Sequence, residues 1–352
     1  MKEKKIKSLK WLSKGNLLLE ERNLPVLLKN EALLKVESCG ICGSDIKILN
    51  HGNKRVKRGQ IIGHEISGTI IKINGTLNEF KEGDKISLGA DVPCGNCDRC
   101  KSGFGDDCIT NLAIGHEFEG GFSQFMVLNQ ITLKKGPIKK FTDLSFDLAC
   151  LAEPLACCLN GFEKTAFKKY ESILIMGCGT IGIMLAFIAH LKKIPKIFMT
   201  DINQKRIENL SKFNFITNSL NTSKENIEEW ININTKNKGV ELIFTANNNI
   251  NAQIQGLKLL NSRSVINFFG GLPQNSKTIE LNTNDIHYKE SIITGSHGST
   301  PKQHSEALDI ISSNQFFFKK IISKSFPINK FALAFEETSK PENLKIIIKP
   351  NK

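Results

Sequence analysis

The chain has 352 residues, enough for two domains with full cores, and a hydrophobic fraction of 40%, ordinary for a soluble globular protein. No apolar run reaches the roughly 18 residues that span a bilayer, and the basic start, MKEKKIKSLKW, has no apolar stretch behind it to make a signal peptide. The net charge of +13 raises a nucleic-acid partner, but the Lys residues are dispersed and lack the interleaved aromatics of single-strand binders. One local basic run stands out: Lys54, Arg55, Lys57 and Arg58.

The first ~150 residues read as β-rich, since strands are short and spaced by turns. Ala32–Val36, Ile61–Ile62 with Thr69–Ile73, and Lys85–Leu88 are short apolar runs between Gly-containing turns. Residues 94–108 are almost free of apolar side chains and predict a loop organised by its own ligands. Cys94, Cys97, Cys100 and Cys108 form a C-x2-C-x2-C-x7-C run there, a spacing that fills a tetrahedral zinc shell and leaves no open position. Cys42, His64 and Glu153 lie on either side of that run. A thiol, an imidazole and a carboxylate from distant points can hold a metal and leave a position for water or substrate. With four of the ten cysteines at zinc spacing and no secretion signal, reduced thiols and a cytoplasmic location are expected.

From about residue 171 the pattern becomes alternating strand and helix, which implies a parallel sheet covered on both faces. Ser172–Met176 predicts a strand, Thr180–Leu191 an apolar helix, Lys196–Thr200 a second strand and Gln204–Phe213 an amphipathic helix. Further strands are expected at Glu241–Thr245, Ser264–Phe269 and Ser291–Thr294, and a helix near Lys302–Ser312. The first strand runs into Gly177-Cys178-Gly179-Thr180-Ile181-Gly182 and then directly into the helix. In that context the G-x-G-x-x-G turn is a dinucleotide fingerprint: the glycines allow the tight turn and close approach of a pyrophosphate to the helix N-terminus. Asp201, 19 residues past Gly182, ends the second strand. A carboxylate there accepts hydrogen bonds from the ribose hydroxyls and repels a 2′-phosphate, favouring NAD over NADP, although Lys205 and Arg206 are close by.

In chain order, Cys39-Gly40-Ile41-Cys42-Gly43-Ser44-Asp45, Gly63-His64-Glu65, the four-cysteine lobe, Leu151-Ala152-Glu153-Pro154 and the dinucleotide fingerprint match one family. The chain resembles the zinc-dependent medium-chain dehydrogenases, in particular the polyol (sorbitol-like) and threonine dehydrogenase branch. The resemblance implies an α/β chain with a GroES-like, β-rich catalytic domain at 1–154 that carries a structural-zinc lobe at 94–108. It further implies a Rossmann NAD-binding domain at 155–296 and a C-terminal segment, 297–352, returning to the catalytic domain. Two zinc ions are implied. The catalytic one takes Cys42, His64 and a carboxylate, either Glu153 or Glu65; the structural one takes the four cysteines.

The chemistry so implied is hydride transfer between a secondary alcohol and NAD, the metal lowering the hydroxyl pKa. Ser44 fits the family's proton-relaying hydroxyl, while Lys47 stands where many relatives have a relay His. Lys47, with the basic run, is a candidate for a phosphate or carboxylate on the substrate. Gly177, Gly179, Thr180, Ile181, Gly182, Asp201, Arg206, Gly270 and His297 are the candidate cofactor residues, and His297 a candidate substrate contact as well. Polyols and sugar or cyclitol derivatives are the expected substrates, threonine-like amino alcohols the alternative, and a homodimer or homotetramer the expected assembly. A zinc-ribbon nucleic-acid binder would leave the fingerprint and the Cys42/His64/Glu153 set unexplained, so neither nucleic acid nor membrane is expected as a partner. Gly115-His116-Glu117 repeats the Gly-His-Glu tripeptide and reads as coincidence. Cys39, Cys150, Cys157 and Cys158 read as core, Cys178 as a small filler, His51 as surface and His190 as a helix end.

Overall fold

The computed structural model describes residues 5–165, 169–273, 276 and 278–352. The chain divides into two compact units, one made of the residues up to Ala156 together with Gly298–Lys352, the other of Cys157–His297. Among the described residues no helix is long and apolar enough to cross a membrane.

The first unit is built on β1 (Lys5–Ser13), β2 (Asn16–Asn23), β3 (Glu31–Gly40), β4 (Gln60–Ile61), β5 (Glu65–Asn74), β6 (Lys85–Leu88), β7 (Asp91–Val92), β8 (Leu112–Ala113), β9 (Phe125–Leu128) and β10 (Ile138–Lys140). β3 is the central strand because nearly all of its side chains are buried. It pairs antiparallel with β5 on one edge, and on the other with β9 near its start and with the late strand Lys345–Lys349 at its end. β6 and β10 extend the sheet beyond β5. Register shifts between Leu33 and Leu34 and between Val36 and Ser38 mark bulges, which increase local twist and let one sheet curl around a core. That core joins Leu34, Val36, Ile62, Ile66, Ile70, Leu88, Phe122 and Ile348. Each such side chain contributes roughly 1.5–3 kcal/mol on burial.

The expected strands at Ala32–Val36, Thr69–Ile73 and Lys85–Leu88 fall within β3, β5 and β6. The cysteine lobe departs from a plain loop: it contains the helical turns Asp98–Lys101 and Gly105–Asp107.

The second unit holds β11 (Ser172–Met176), β12 (Lys196–Asp201), β13 (Asn218–Asn221), β14 (Val240–Thr245), β15 (Leu260–Phe268) and β16 (Ile292–Gly295) in the order β13-β12-β11-β14-β15-β16. Every neighbouring pair is parallel. Counted within this unit the order is 3-2-1-4-5-6, the doubly wound dinucleotide-binding arrangement. β11 is buried at all five positions, which explains its unbroken apolar run. Strand Ser172–Met176 and helix Thr180–Leu191 lie where the sequence predicts them. The next helix is shorter than expected, Gln204–Asn209, and tightens into a 3-10 turn at Leu210–Lys212. β13 and the helices Ile227–Thr235 and Ile250–Lys258 have no counterpart in the sequence reading.

Candidate catalytic and nucleotide sites

The four cysteines of the lobe gather as their spacing demands. Cys97 caps the turn Asp98–Lys101, Cys100 lies within it, and Cys108 follows Gly105–Asp107. Their sulfurs all lie within 4.8 Å of one another, a compact set for one ion. The amides of Asn96 and Cys97 donate to Cys94 Sγ at 3.4 Å, and the amide of Cys94 donates to Cys108 Sγ at 3.2 Å. Burial opposes ionisation of Cys108, yet the Cys94 amide and donors at Thr110 and Asn111 pull its thiol down to about 5, while burial pushes Cys100 up to about 12. The donor set therefore suits a thiolate-bound metal of the closed, structural kind.

A second set forms in the same unit from three separate elements. Cys42 is the N-cap of helix Gly43–His51, His64 immediately precedes β5, and Glu153 opens helix Ala152–Glu163. His64 and Glu153 are buried. The three are electrostatically close: Asp45, Cys42 and Glu153 together raise the His64 pKa well above its usual value, against the burial that would lower it. Burial pushes Glu153 up to about 7, opposed by His64 and reinforced by Glu65. Among the described residues the four cysteines are the one group of three or more ligand atoms gathered within 4.8 Å, so this set is the more widely spread. Ser44 Oγ lies 3.3 Å from His64 Nε2. Asp45 Oδ1 lies 3.7 Å from His64 Nδ1, and both of these buried atoms lack a hydrogen-bond partner. Asp45 is held in place by the Cys42 amide, which donates to its Oδ2 at 2.9 Å. A carboxylate behind an imidazole is the arrangement that orients a metal-binding His.

The sequence leaves Glu65 and Glu153 as alternative ligands, and the structure treats them differently. Both oxygens of the fully buried Glu65 accept from Lys345 Nζ, at 2.6 and 2.7 Å. Lys345 Nζ also donates to the Ile41 carbonyl at 3.2 Å. Burial alone would lower the Lys345 pKa, but the Glu65 carboxylate more than offsets it and holds the ammonium. Sequence reasoning missed Lys345, because nothing local marks a lysine in a late apolar strand as the partner of a residue 280 positions away.

The second Gly-His-Glu tripeptide lies against the first. Gly115 packs on the backbone of Gly63, where an added Cβ would come within 3.3 Å of Gly63 N and O. His116 thereby lies with its ring 6.5 Å from that of His64. Burial, with His64 and Arg55 adding, holds His116 down to about 4, a neutral ring at neutral pH. Glu117 accepts two bonds from Arg55, at 2.8 and 2.7 Å. Arg55 is thus committed to this loop and does not form a free basic cluster with Lys54, Lys57 and Arg58, which are exposed. Lys47 and His51 are exposed on their helix. Cys39 and Cys150 are buried core thiols, and burial raises both.

In the second unit the glycine-rich turn sits between β11 and helix Thr180–Leu191, whose N-cap is Gly179. Gly177 takes φ +123, and a Cβ on Gly182 would collide with the Gly177 carbonyl, so both positions demand glycine. Asp201, at the end of β12, accepts from the Cys178 amide at 2.9 Å and lies 3.6 Å from Arg206 Nη1. The turn, Asp201 and Arg206 are one cluster, with half-buried Thr180 and Ile181 at the helix start. Gly270 donates its amide to the Thr245 carbonyl at 2.8 Å beside that cluster's neighbouring strand end. Cys178 is buried, its thiol raised by burial, as a small filler should be. His297 is exposed, and its carbonyl accepts from Asn160 Nδ2 at 3.1 Å. His190 is exposed at its helix end and stacks on Phe215.

Comparisons with known proteins show the family. Residues 28–137 match the alcohol dehydrogenase GroES-like domain, and residues 180–313 match the zinc-binding dehydrogenase family. A zinc-type alcohol dehydrogenase-like protein of Haemophilus influenzae is 31% identical, with 97% of this chain and 98% of that protein covered. An L-threonine 3-dehydrogenase of Bacillus licheniformis is 26% identical over 93% of each chain. A D-arabitol-phosphate dehydrogenase of Enterococcus avium is also 26% identical, over 94% of this chain and 92% of its own. A zinc-binding dehydrogenase of Sinorhizobium meliloti solved with NADP shares the fold, with a TM-score of 0.90 at 22% identity, covering 99% of this chain and 100% of that one. The chain belongs to the zinc-dependent medium-chain dehydrogenases, in the branch of the polyol and threonine dehydrogenases.

Proposed function

We propose that the protein transfers a hydride between a secondary alcohol and NAD, with polyols and sugar or cyclitol derivatives, phosphorylated ones included, as its substrates. The observation that supports this reading is the electrostatic closeness of Cys42 and Glu153 to His64, in a chain whose other unit bears the dinucleotide turn. Cys42, His64 and Glu153 would hold the catalytic zinc, Glu153 being preferred because Lys345 engages both oxygens of Glu65. A zinc ion there supplies Lewis acidity, which lowers the pKa of the substrate hydroxyl. Ser44, beside His64 Nε2, accepts the hydroxyl proton while passing its own on, and Asp45 keeps the His64 ring oriented. NAD held at the glycine-rich turn would supply the hydride acceptor, so that loss of the carbinol C–H as hydride and of the hydroxyl proton leaves a ketone. The four cysteines would hold the second zinc and do no redox chemistry.

Asp201 is the basis for preferring NAD, since a carboxylate at the end of this fold's second strand would accept the ribose hydroxyls and repel a 2′-phosphate. The exposed edge strand β16, with Ile292 46% exposed, supports assembly as a homodimer or homotetramer through this edge. The location we propose is the cytoplasm, on the strength of the reduced-thiol chemistry of ten cysteines with no disulfide among the described residues. The L-threonine 3-dehydrogenase relative supports a second reading, oxidation of a threonine-like amino alcohol. The deciding experiment offers sorbitol-like polyols, their phosphates and L-threonine to zinc-loaded protein and follows reduction of NAD and of NADP by absorbance. Turnover of polyols with NAD is the expected result. No reduction of either cofactor by any alcohol would sink the assignment.

A further inference from the structure

The loop that carries His116 is fastened to the segment that carries His64. Gly120 and Gly121 donate their amides to the carbonyls of Ile61 and Gly63, both at 2.8 Å, and Gly115 lies against the Gly63 backbone. Glu117, next to His116, is tied outward to Arg55 by two hydrogen bonds and accepts the Ala113 amide at 3.0 Å. The loop is thus fixed from both sides, and the one polar side chain it leaves beside His64 is the imidazole of His116, 6.5 Å away ring to ring. Its Nδ1 is buried and has no well-formed hydrogen bond, the Ile114 backbone being the protein group drawn to the ring. His304 Nδ1 is likewise unpartnered, but that fully buried ring has Nε2 3.1 Å from Ser87 Oγ and its Nδ1 edge closed in by Gly89, with no metal-ligand candidate among the described residues beside it. A buried ring nitrogen without a protein partner is costly unless a ligand or water meets it. A neutral imidazole can offer one donor and one acceptor to such a ligand.

We infer that His116 binds the substrate's second polar group, the hydroxyl or amine on the carbon next to the carbinol, and so selects vicinal diols and amino alcohols over simple secondary alcohols. This rests on the proposed function, because it takes the carbinol to be held beside His64. A rigid loop places the second contact at a fixed distance from the first, which is what discrimination between two- and one-point ligands requires. His116 is a binding and positioning residue; it exchanges no proton in the reaction.

The test compares wild type with His116→Phe and His116→Gln, each checked for zinc content and thermal melting. Turnover is measured on butane-2,3-diol and on butan-2-ol, and the quantity read is the ratio of the two kcat/KM values. The ratio should fall by about tenfold in His116→Phe, the scale of one lost hydrogen bond, and by less in His116→Gln, which keeps donor and acceptor. Calorimetry on zinc-loaded protein without NAD should show diol binding weakened by a similar factor. An unchanged ratio, or an equal fall on both alcohols, overturns the role of His116 while leaving the dehydrogenase intact. Wild type inactive on both alcohols and without affinity for the diol overturns the proposed function, and this inference with it. Should His116→Phe melt early, His116→Gln alone decides, through the same ratio.

Discussion

The two candidate metal-ligand sets of the first unit have similar chemistry and opposite construction. The lobe draws four sulfurs from fifteen consecutive positions, 94 to 108, and packs them within 4.8 Å, with the backbone's own amides pointing at the sulfurs. The second set draws a thiol, an imidazole and a carboxylate from three elements far apart in sequence, buries the imidazole and the carboxylate, and has Asp45 behind the imidazole and the Glu65–Lys345 pair next to His64 in sequence. A local set can be complete as soon as its loop closes; a dispersed set depends on the whole sheet. The first suits a clamp. The second suits a site that must admit a substrate.

The largest expected break in this contrast comes from Cys42→Ala. Turnover should fall by roughly a thousandfold or more, because the Lewis acid that lowers a hydroxyl pKa by several units is lost. Thermal melting should move little, and full activity in the variant would refute the pocket. Next in size is Lys345→Met, which strands Glu65 as an unpaired buried carboxylate. Removing one member of a buried pair costs about 3–5 kcal/mol, readable by urea unfolding. Adding Glu65→Gln should recover much of that loss, and no recovery would mean that the pair does not carry it. Asp45→Asn should weaken metal binding in the pocket by about 10–100-fold, the usual effect of altering a residue behind a metal-binding His. Chelator titration with metal analysis checks this, and the lobe's zinc should be unaffected. The smallest effect on turnover belongs to Cys97→Ser, which should lose one equivalent of zinc and melt earlier. Its turnover per folded molecule should stay within about tenfold, since a closed tetrahedral site offers no position to substrate. Loss of turnover without loss of stability would invert the two roles.

Much of this was readable from the residues because the physics is local. The dinucleotide turn needs glycine at Gly177 and Gly182 for backbone reasons that any chain must obey, and β11 is apolar at every position after Ser172 because it is buried on both faces. The lobe's spacing encodes its geometry directly. What escaped is what is polar or remote. β13 has the sequence NSLN, which has no strand propensity, so pairing with β12 decides it; helices Ile227–Thr235 and Ile250–Lys258 do carry Asn caps and helically spaced buried positions, a signal their scattered Asn and Gln obscure. The Glu65–Lys345 pair joins residues with no shared local pattern. His116 did leave a signal, a repeated Gly-His-Glu. A tripeptide alone says nothing of its neighbours; the glycine-on-glycine contact is what brings the two copies together.

The Glu65–Lys345 bond also sets a clock for biosynthesis. The two residues are 280 apart, so at about 5–20 residues per second the ribosome delivers the lysine roughly 15 to 60 seconds after the carboxylate. Throughout that interval β3 lacks the strand that borders Cys39 and Gly40, and Glu65 has no counter-charge to follow it into the interior. The whole of the second unit emerges in the meantime and can complete its parallel sheet first. The nascent chain therefore passes through a stage with a finished nucleotide-binding unit and an unfinished catalytic one, the stage at which a chaperone would find most to hold.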